Sequence, residues 1–337
     1  MANNMQKRLD WIDYGKGICM LFVILSHTWS YYVQQRSDLI NILQPTRMFV
    51  FFFISGYLVK VETFNIEKFL RSISQKLLFP YFIFTTLIWI PKALAHGDVV
   101  SLESMIYNIG GGYASWFVAA LAVSKLVLAL ILYFTKSLKT IVSICVVLFI
   151  VGCCMAQYID ADIPWFADYG LISLIYLAMG MTYRRYEDIL SKHMKLQVIL
   201  SILVYFTFTL LDYTIFKNST YLYSLSYGNV TFDGVLSFFF LSVLGIWMMI
   251  SIVKILPSNM KSISYVGSNS LVYYYLNTGL LTIICVFCNR LGLGYNGNDI
   301  LAILIFVVVV IILTITTKLI NQYAPWMVGT FTINIRK

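Results

Sequence analysis

Apolar residues run through this chain in long blocks separated by short polar connections. A helix crossing a bilayer core needs about 20 of them. Ten blocks reach or approach that length: 14–33, 39–59, 77–95, 115–134, 140–157, 168–183, 196–216, 234–253, 268–288 and 299–319. The pattern predicts an all-α fold, a polytopic membrane helical bundle with about ten transmembrane helices. Two blocks are weaker, since 39–59 carries Arg47 near its start and 168–183 is short. No connection is long enough for a separate soluble domain and no repeat is evident, so residues 1–337 read as a single integral-membrane domain.

Composition removes the soluble alternative. The chain is 60% hydrophobic and 12% charged, where a soluble domain is about a quarter charged. Its mean hydropathy is +0.80, and only lipid can solvate so apolar an exterior. Charge then orients the bundle. With ten spans and both termini in the cytosol, seventeen of the 24 Lys and Arg residues lie on the cytosolic side and five opposite, with Lys16 and Lys125 inside spans. That asymmetry follows the positive-inside rule. The net charge of +9 therefore reflects topology and anionic membrane lipid, and no nucleic-acid partner is expected.

The first block is longer than a signal-peptide core and contains Lys16 and His27, so cleavage is not expected. The six cysteines sit in apolar blocks; Cys285 and Cys288 have CxxC spacing but no second ligand pair, and only three histidines exist. Packing explains these cysteines better than redox or metal chemistry, and no metal site is expected.

Ionisable side chains inside a span are expensive and mark candidate function. Lys16 and His27 are eleven residues apart, which puts them on one helical face about 16 Å apart along the axis. Asp13 precedes Lys16 by three residues and is adjacent on that face. Gly15 and Gly17 flank Lys16 and would admit a partner helix or a ligand. His27 is the only histidine inside a span and suits a general base. Lys16 alone reads more simply as a side chain snorkelling to the cytosol. Arg47 opens the second block ahead of Met-Phe-Val-Phe-Phe-Phe and calls for an anionic or water-filled partner. Lys125, midway through the fourth block, is expected to pair within the bundle. Lys68, Arg71 and Lys76 lie on an amphipathic cytosolic connection, which fits phosphate binding and plain positive-inside bias equally. The loop 217–229 interleaves Tyr221, Tyr223 and Tyr227 with small polar residues; that suits sugar rings, or more simply an interfacial belt.

Five stretches add a likeness. They are Arg8 through Lys16 with His27 following, Phe51-Phe-Phe-Ile-Ser55-Gly56-Tyr-Leu, Arg71 through Lys76 into Pro80-Tyr81, Trp116-Phe-Val-Ala-Ala-Leu, and Gly267-Ser-Asn-Ser270-Leu271-Val-Tyr273. In this order, over nearly the whole chain, they resemble the acyltransferase family 3 membrane proteins, which include O-acetyltransferases of bacterial surface polysaccharides. The resemblance implies a multi-pass protein of the bacterial inner membrane, an acyl-CoA donor such as acetyl-CoA, and a surface-glycan acceptor. On that basis His27 is the base or a transient acyl carrier. Arg47 or Lys16 stabilises the oxyanion or holds His27, and Asp13 orients Lys16. Arg71 and Lys76, with Tyr81, fall on the donor side, while Trp116 and Asn277 fall on the acceptor side. Asn277 departs from the histidine many relatives carry, and Arg47-Met-Phe departs from the segment that often precedes the second signature. Two other classes fit the same features. One is a transporter or flippase for a lipid-linked sugar; the other is a membrane sensing domain that kept the fold and lost the chemistry, which Asn277 favours. A homodimer stays open.

Overall fold

The computed structural model describes residues 9–34, 42–96, 101–159, 162–215, 232–295, 297 and 299–330. Arg8 and the aromatic loop 217–229 lie outside them. Among the described residues there is no strand, and the chain folds as helices throughout. The first half comprises α1 (Asp10–Thr28), α2 (Gln44–Arg47), α3 (Phe49–Tyr57), α4 (Ile66–Ile73), α5 (Phe79–His96), α6 (Leu102–Gly110) and α7 (Trp116–Phe134). Then come α8 (Leu138–Tyr158), α9 (Ala167–Arg185), α10 (Glu187–Leu190), α11 (Met194–Ile215) and α12 (Phe232–Ile255). The last three are α13 (Lys261–Ser268), α14 (Ser270–Arg290) and α15 (Asp299–Tyr323).

Among the described residues seven helical segments are long and apolar enough to cross a membrane: 66–90, 116–134, 138–158, 194–211, 237–255, 270–290 and 299–323. The other three expected spans correspond to α1, to the α2–α3 pair and to α9, which fall short of that measure. α1 holds Asp10, Asp13 and Lys16. The second block is two helices rather than one, interrupted at Met48. α9 carries Asp168 at one end and Arg184 and Arg185 at the other. These are inner elements: α9 is packed by α3, α7 and α8, and α1 by α12, α13, α14 and α15. A helix covered by protein needs no continuous apolar face. α8 and α11, by contrast, bury only 17% of their apolar windows inside the protein, so nearly all their surface is left for lipid.

Two pairs of glycines set how closely the inner helices cross. A Cβ at Gly56 would sit 2.0 Å from the Leu177 carbonyl oxygen, and one at Gly180 would sit 2.0 Å from that of Phe53, so α3 and α9 meet backbone to backbone. α1 and α13 do the same: a Cβ at Gly17 would lie 2.3 Å from the Ile263 oxygen, and one at Gly267 would lie 1.8 Å from the Asp13 oxygen. Only small residues permit such approaches between membrane helices. Gly56 and Gly267 belong to the motif-like stretches noted above, so those stretches mark helix crossings.

The connection between α5 and α7 is not a plain loop. Ser101 caps α6 by accepting from the Ser104 backbone N–H at 3.0 Å. α6 then doubles back along α5 until the Ile109 carbonyl accepts from the Tyr81 hydroxyl, in the first turn of α5, at 2.8 Å. The non-helical chain from Gly111 to Ser115 is thereby carried into the bundle.

Candidate functional site

A cavity of about 380 Å³ opens inside the bundle where α1 ends and α7 begins. It collects His27 from α1, Arg47 from α2, Trp89 from α5, Trp116 from α7, and Tyr275 and Asn277 from α14. Four residues singled out from the sequence, His27, Arg47, Trp116 and Asn277, therefore meet in one place. Their separation along the chain, from 27 to 277, makes this a product of the whole fold.

Local structure positions each of them. His27 is half-buried in the last turn of α1, immediately before a π-helical turn over Trp29–Val33; such turns often accompany functional sites in helices. Its ring lies 6.2 Å from that of Tyr31, which also lines the cavity. Arg47 ends the short α2, which Pro45 initiates. α2 is pinned from two sides. The Thr46 hydroxyl donates to the Tyr205 hydroxyl of α11 at 3.3 Å, and Gly245 of α12 leaves no room for a Cβ beside Thr46. The break at Met48 then turns the chain into the aromatic α3, so Arg47 is held at a helix end by buried neighbours. Asn277 is 1% exposed; its amide nitrogen donates to the Tyr273 carbonyl at 3.1 Å and to that of Tyr274, which fixes the orientation of the amide.

The outer wall was not legible in advance. Trp165 and Phe166, both with positive φ (58° and 47°), precede α9, and Phe166 lines the cavity. Left-handed backbone at two bulky residues costs about 1–3 kcal/mol each, and such strain gathers at functional sites. Here it is offset by the Trp165 backbone N–H donating to the Gly111 oxygen and its indole N–H donating to the Gly110 oxygen at 2.9 Å. Gly112, at φ 85°, allows the approach: a Cβ there would lie 2.7 Å from the Trp165 Cα. The run Gly110-Gly111-Gly112 was the available signal. Irregular backbone within a membrane bundle is tolerated where it is buried in protein or lines a cavity, and Tyr113, Ala114 and Ser115 line this one.

The remaining candidates lie elsewhere. Lys16 pairs with Asp13 at 3.3 Å, with Asp13 almost wholly buried and Lys16 about a quarter exposed. Neither lines the cavity, and the axial distance of about 16 Å separates Lys16 from His27. Of the two cations, Arg47 is the one that lines the cavity with His27. Among the described residues Lys125 has no ion pair of opposite sign, and the charges that reach it are those of Lys16 and Lys76. Arg71 and Lys76 are exposed, Arg71 pairing with Glu67 at 3.5 Å. Tyr81 is buried and committed to Ile109, with its ring 5.3 Å from that of Trp165. It braces the cavity wall rather than standing with Arg71 and Lys76.

At the Lys16 end, a second polar cluster ties five helices together. Lys254 of α12 pairs with Glu187 of α10, donates to the Ser191 hydroxyl at 2.6 Å and lies over the rings of Trp11 and Tyr183. Tyr57 of α3 donates to the same Glu187 carboxylate.

No curated protein and no solved structure matches the chain. A family profile described as an acyltransferase domain, that of acyltransferase family 3, matches residues 9–319. The match takes in both ends of α1, the interrupted α2–α3 segment and every residue named in the cavity. This membrane protein belongs to acyltransferase family 3 and is an acyltransferase.

Proposed function

We propose that the chain moves an acyl group, acetyl in the simplest case, from cytosolic acyl-CoA to a hydroxyl of a bacterial cell-surface polysaccharide or lipid-linked glycan. The observation that carries this reading is the single cavity in which His27 and Arg47 meet. The acceptor hydroxyl is bound beside His27. As its oxygen attacks the thioester carbonyl, His27 takes the proton; the new C–O bond forms, the C–S bond breaks, and the proton passes from His27 to the departing thiolate. Arg47 faces the oxygen on which negative charge develops, where one such donor is typically worth about 10²–10³ in rate.

The donor's anionic portion belongs at the other end of α1. Lys16, paired with Asp13, and Lys76 both act on Lys125 there, a gathering of cations that suits the phosphates of coenzyme A. Arg71 and Lys76 extend the cationic surface to the rim. The thin pantetheine arm then runs along the α1 side toward His27. This reading takes the Lys16 end and both termini as cytosolic and the His27 cavity as facing the acceptor, in line with the asymmetry of Lys and Arg along the chain.

The test is His27→Ala in cells, read by mass analysis of the surface glycan. Acylation falls by about 10²–10⁴-fold, the usual worth of a general base, while protein abundance in the membrane stays constant. Full acylation in the variant would remove His27 from the chemistry. The interruption at Met48 is shared with transporters, whose sites are built from broken helices. A flippase would move its lipid-linked sugar without any release of free coenzyme A, so thiol release on adding acyl-CoA separates the two.

A further inference from the structure

The cavity holds a pattern that acyl transfer alone does not require. Three buried polar atoms on its lining residues have no hydrogen-bond partner: the Trp89 indole N–H, the Tyr275 hydroxyl and the Asn277 amide oxygen. Neighbouring polar groups are engaged. Thr85 donates to the Tyr81 carbonyl at 2.6 Å, and Ser115 donates to the Tyr274 hydroxyl at 3.3 Å. The unpartnered set lies on two packed helices, α5 and α14, while His27 and Arg47 come from α1 and α2. Each such group costs about 1–3 kcal/mol when left unmade. Three on one wall of one cavity indicate a partner that arrives from outside the protein.

Their chemistry defines that partner. The indole N–H only donates, the amide oxygen only accepts, and the tyrosine hydroxyl does either. The Asn277 nitrogen is occupied by the Tyr273 and Tyr274 carbonyls, so its oxygen is the side left for a ligand. A carboxylate or phosphate has no proton to give that oxygen. A neutral ring bearing several hydroxyls satisfies all three. Phe84 stacks on Tyr275 at 5.2 Å and 12° and holds that hydroxyl in place. The volume of about 380 Å³ is near the small end of ligand sites, enough for one ring with its acyl group and too small for a chain of rings.

We infer that Trp89, Tyr275 and Asn277 form the acceptor-recognition wall of this enzyme, and that they select a single neutral, polyhydroxylated sugar ring, placing one of its hydroxyls at His27. The inference rests on the acyl-transfer reading above. It gives Asn277 a role of its own, as the acceptor of a sugar O–H, and adds Trp89 and Tyr275 to the site.

The experiment uses three variants of the full chain that remove the polar atom, Trp89→Phe, Tyr275→Phe and Asn277→Leu. Radiolabelled acetyl-CoA is added to membranes of the source cell carrying each variant as the sole copy. Label in the glycan fraction, donor affinity and the melting temperature of the purified protein are then measured. Each variant is expected to lose at least tenfold in glycan label with donor affinity unchanged, and Tyr275→Phe, which removes only an unpaired buried hydroxyl, should melt at or above the wild-type temperature. In Tyr275→Phe a structural role would instead lower the melting temperature in step with transfer, and that result overturns the inference, as does unchanged transfer in the three variants. Methyl glucopyranoside at high concentration should compete for label in the wild type, and methyl glucuronide should not; stronger competition by the glucuronide, or none by either, refutes the selection of a neutral ring. The acyl-transfer reading fails separately, if wild-type membranes place no label in glycan while the same His27→Ala comparison shows no difference.

Discussion

The closest helix crossing gives the sharpest test of how this fold holds its site. In Gly267→Ala the new methyl carbon would start 1.8 Å from the Asp13 carbonyl oxygen. Side-chain carbons essentially never approach within 3.0 Å of such an atom, so α1 and α13 must separate by at least 1.2 Å, the difference between the two. A gap of about 0.5–1 Å already forfeits a quarter to a half of each contact along the crossing. α1 cannot simply retreat, because α12, α14 and α15 pack against it. Overpacking of this kind costs about 1–3 kcal/mol, and the lack of slack puts Gly267→Ala near the upper value. That corresponds to a fall of roughly 3–6 °C in melting temperature, measured on the detergent-purified protein. The displaced backbone is that of Asp13, so donor affinity should weaken together with stability. Gly110→Ala is the control, since a Cβ there meets nothing within 4 Å; its stability should stay within about 0.5 kcal/mol of wild type. A Gly267→Ala protein that melts with the wild type, or a Gly110→Ala protein that falls as far, would refute this account of the crossing.

Two further predictions concern the wall and the lysines. Gly112→Ala forces a Cβ into a left-handed residue 2.7 Å from the Trp165 Cα, so it should cost about 1–3 kcal/mol and lower glycan acylation by displacing Phe166, checked by melting and by glycan mass analysis. Lys125→Met removes the cation on which Lys16 and Lys76 both act unfavourably; it should raise the melting temperature of the free protein and shrink the stabilisation by coenzyme A, which at a hundredfold excess over Kd is about 2.7 kcal/mol in the wild type. An undiminished coenzyme A shift would take Lys125 out of the donor site.

Much of the architecture follows from the apolar blocks, because lipid imposes length and composition on every helix that faces it. The spans that fall short of that signal, α1, α2–α3 and α9, do so for one reason: protein rather than lipid covers them. Asp13, Lys16 and Arg47 are tolerated there for the same reason. His27 and Arg47 stood out individually as charges or bases in apolar surroundings, but nothing local said that they share a cavity with Asn277. Trp89 and Tyr275 gave no signal at all. In a chain with 7 Trp and 24 Tyr, what distinguishes these two is a buried polar atom without a partner on a residue that lines the cavity. α6 reads as a loop because its glycines and polar residues resemble a turn; its return path depends on the Tyr81–Ile109 hydrogen bond, which joins residues 28 apart.

The length of α1 explains why the two halves of the reaction need different residues. An ion pair at one end and a histidine at the other, about 16 Å apart, cannot act on the same atom. A donor with charge at one end and a reactive carbonyl at the other is the kind of molecule such a helix can serve, since the lysines hold the anionic part while the uncharged part reaches His27. On the proposed reading that anion answers the lysine end, where Lys16, paired with Asp13, and Lys76 both act on Lys125. The cavity end carries its own cost, three unpaired polar atoms, and a polyhydroxylated acceptor relieves it. Each end is thus incomplete in the sense that its own substrate corrects. On the proposed reading, productive geometry is reached when both are bound, with Arg47 and His27 between them.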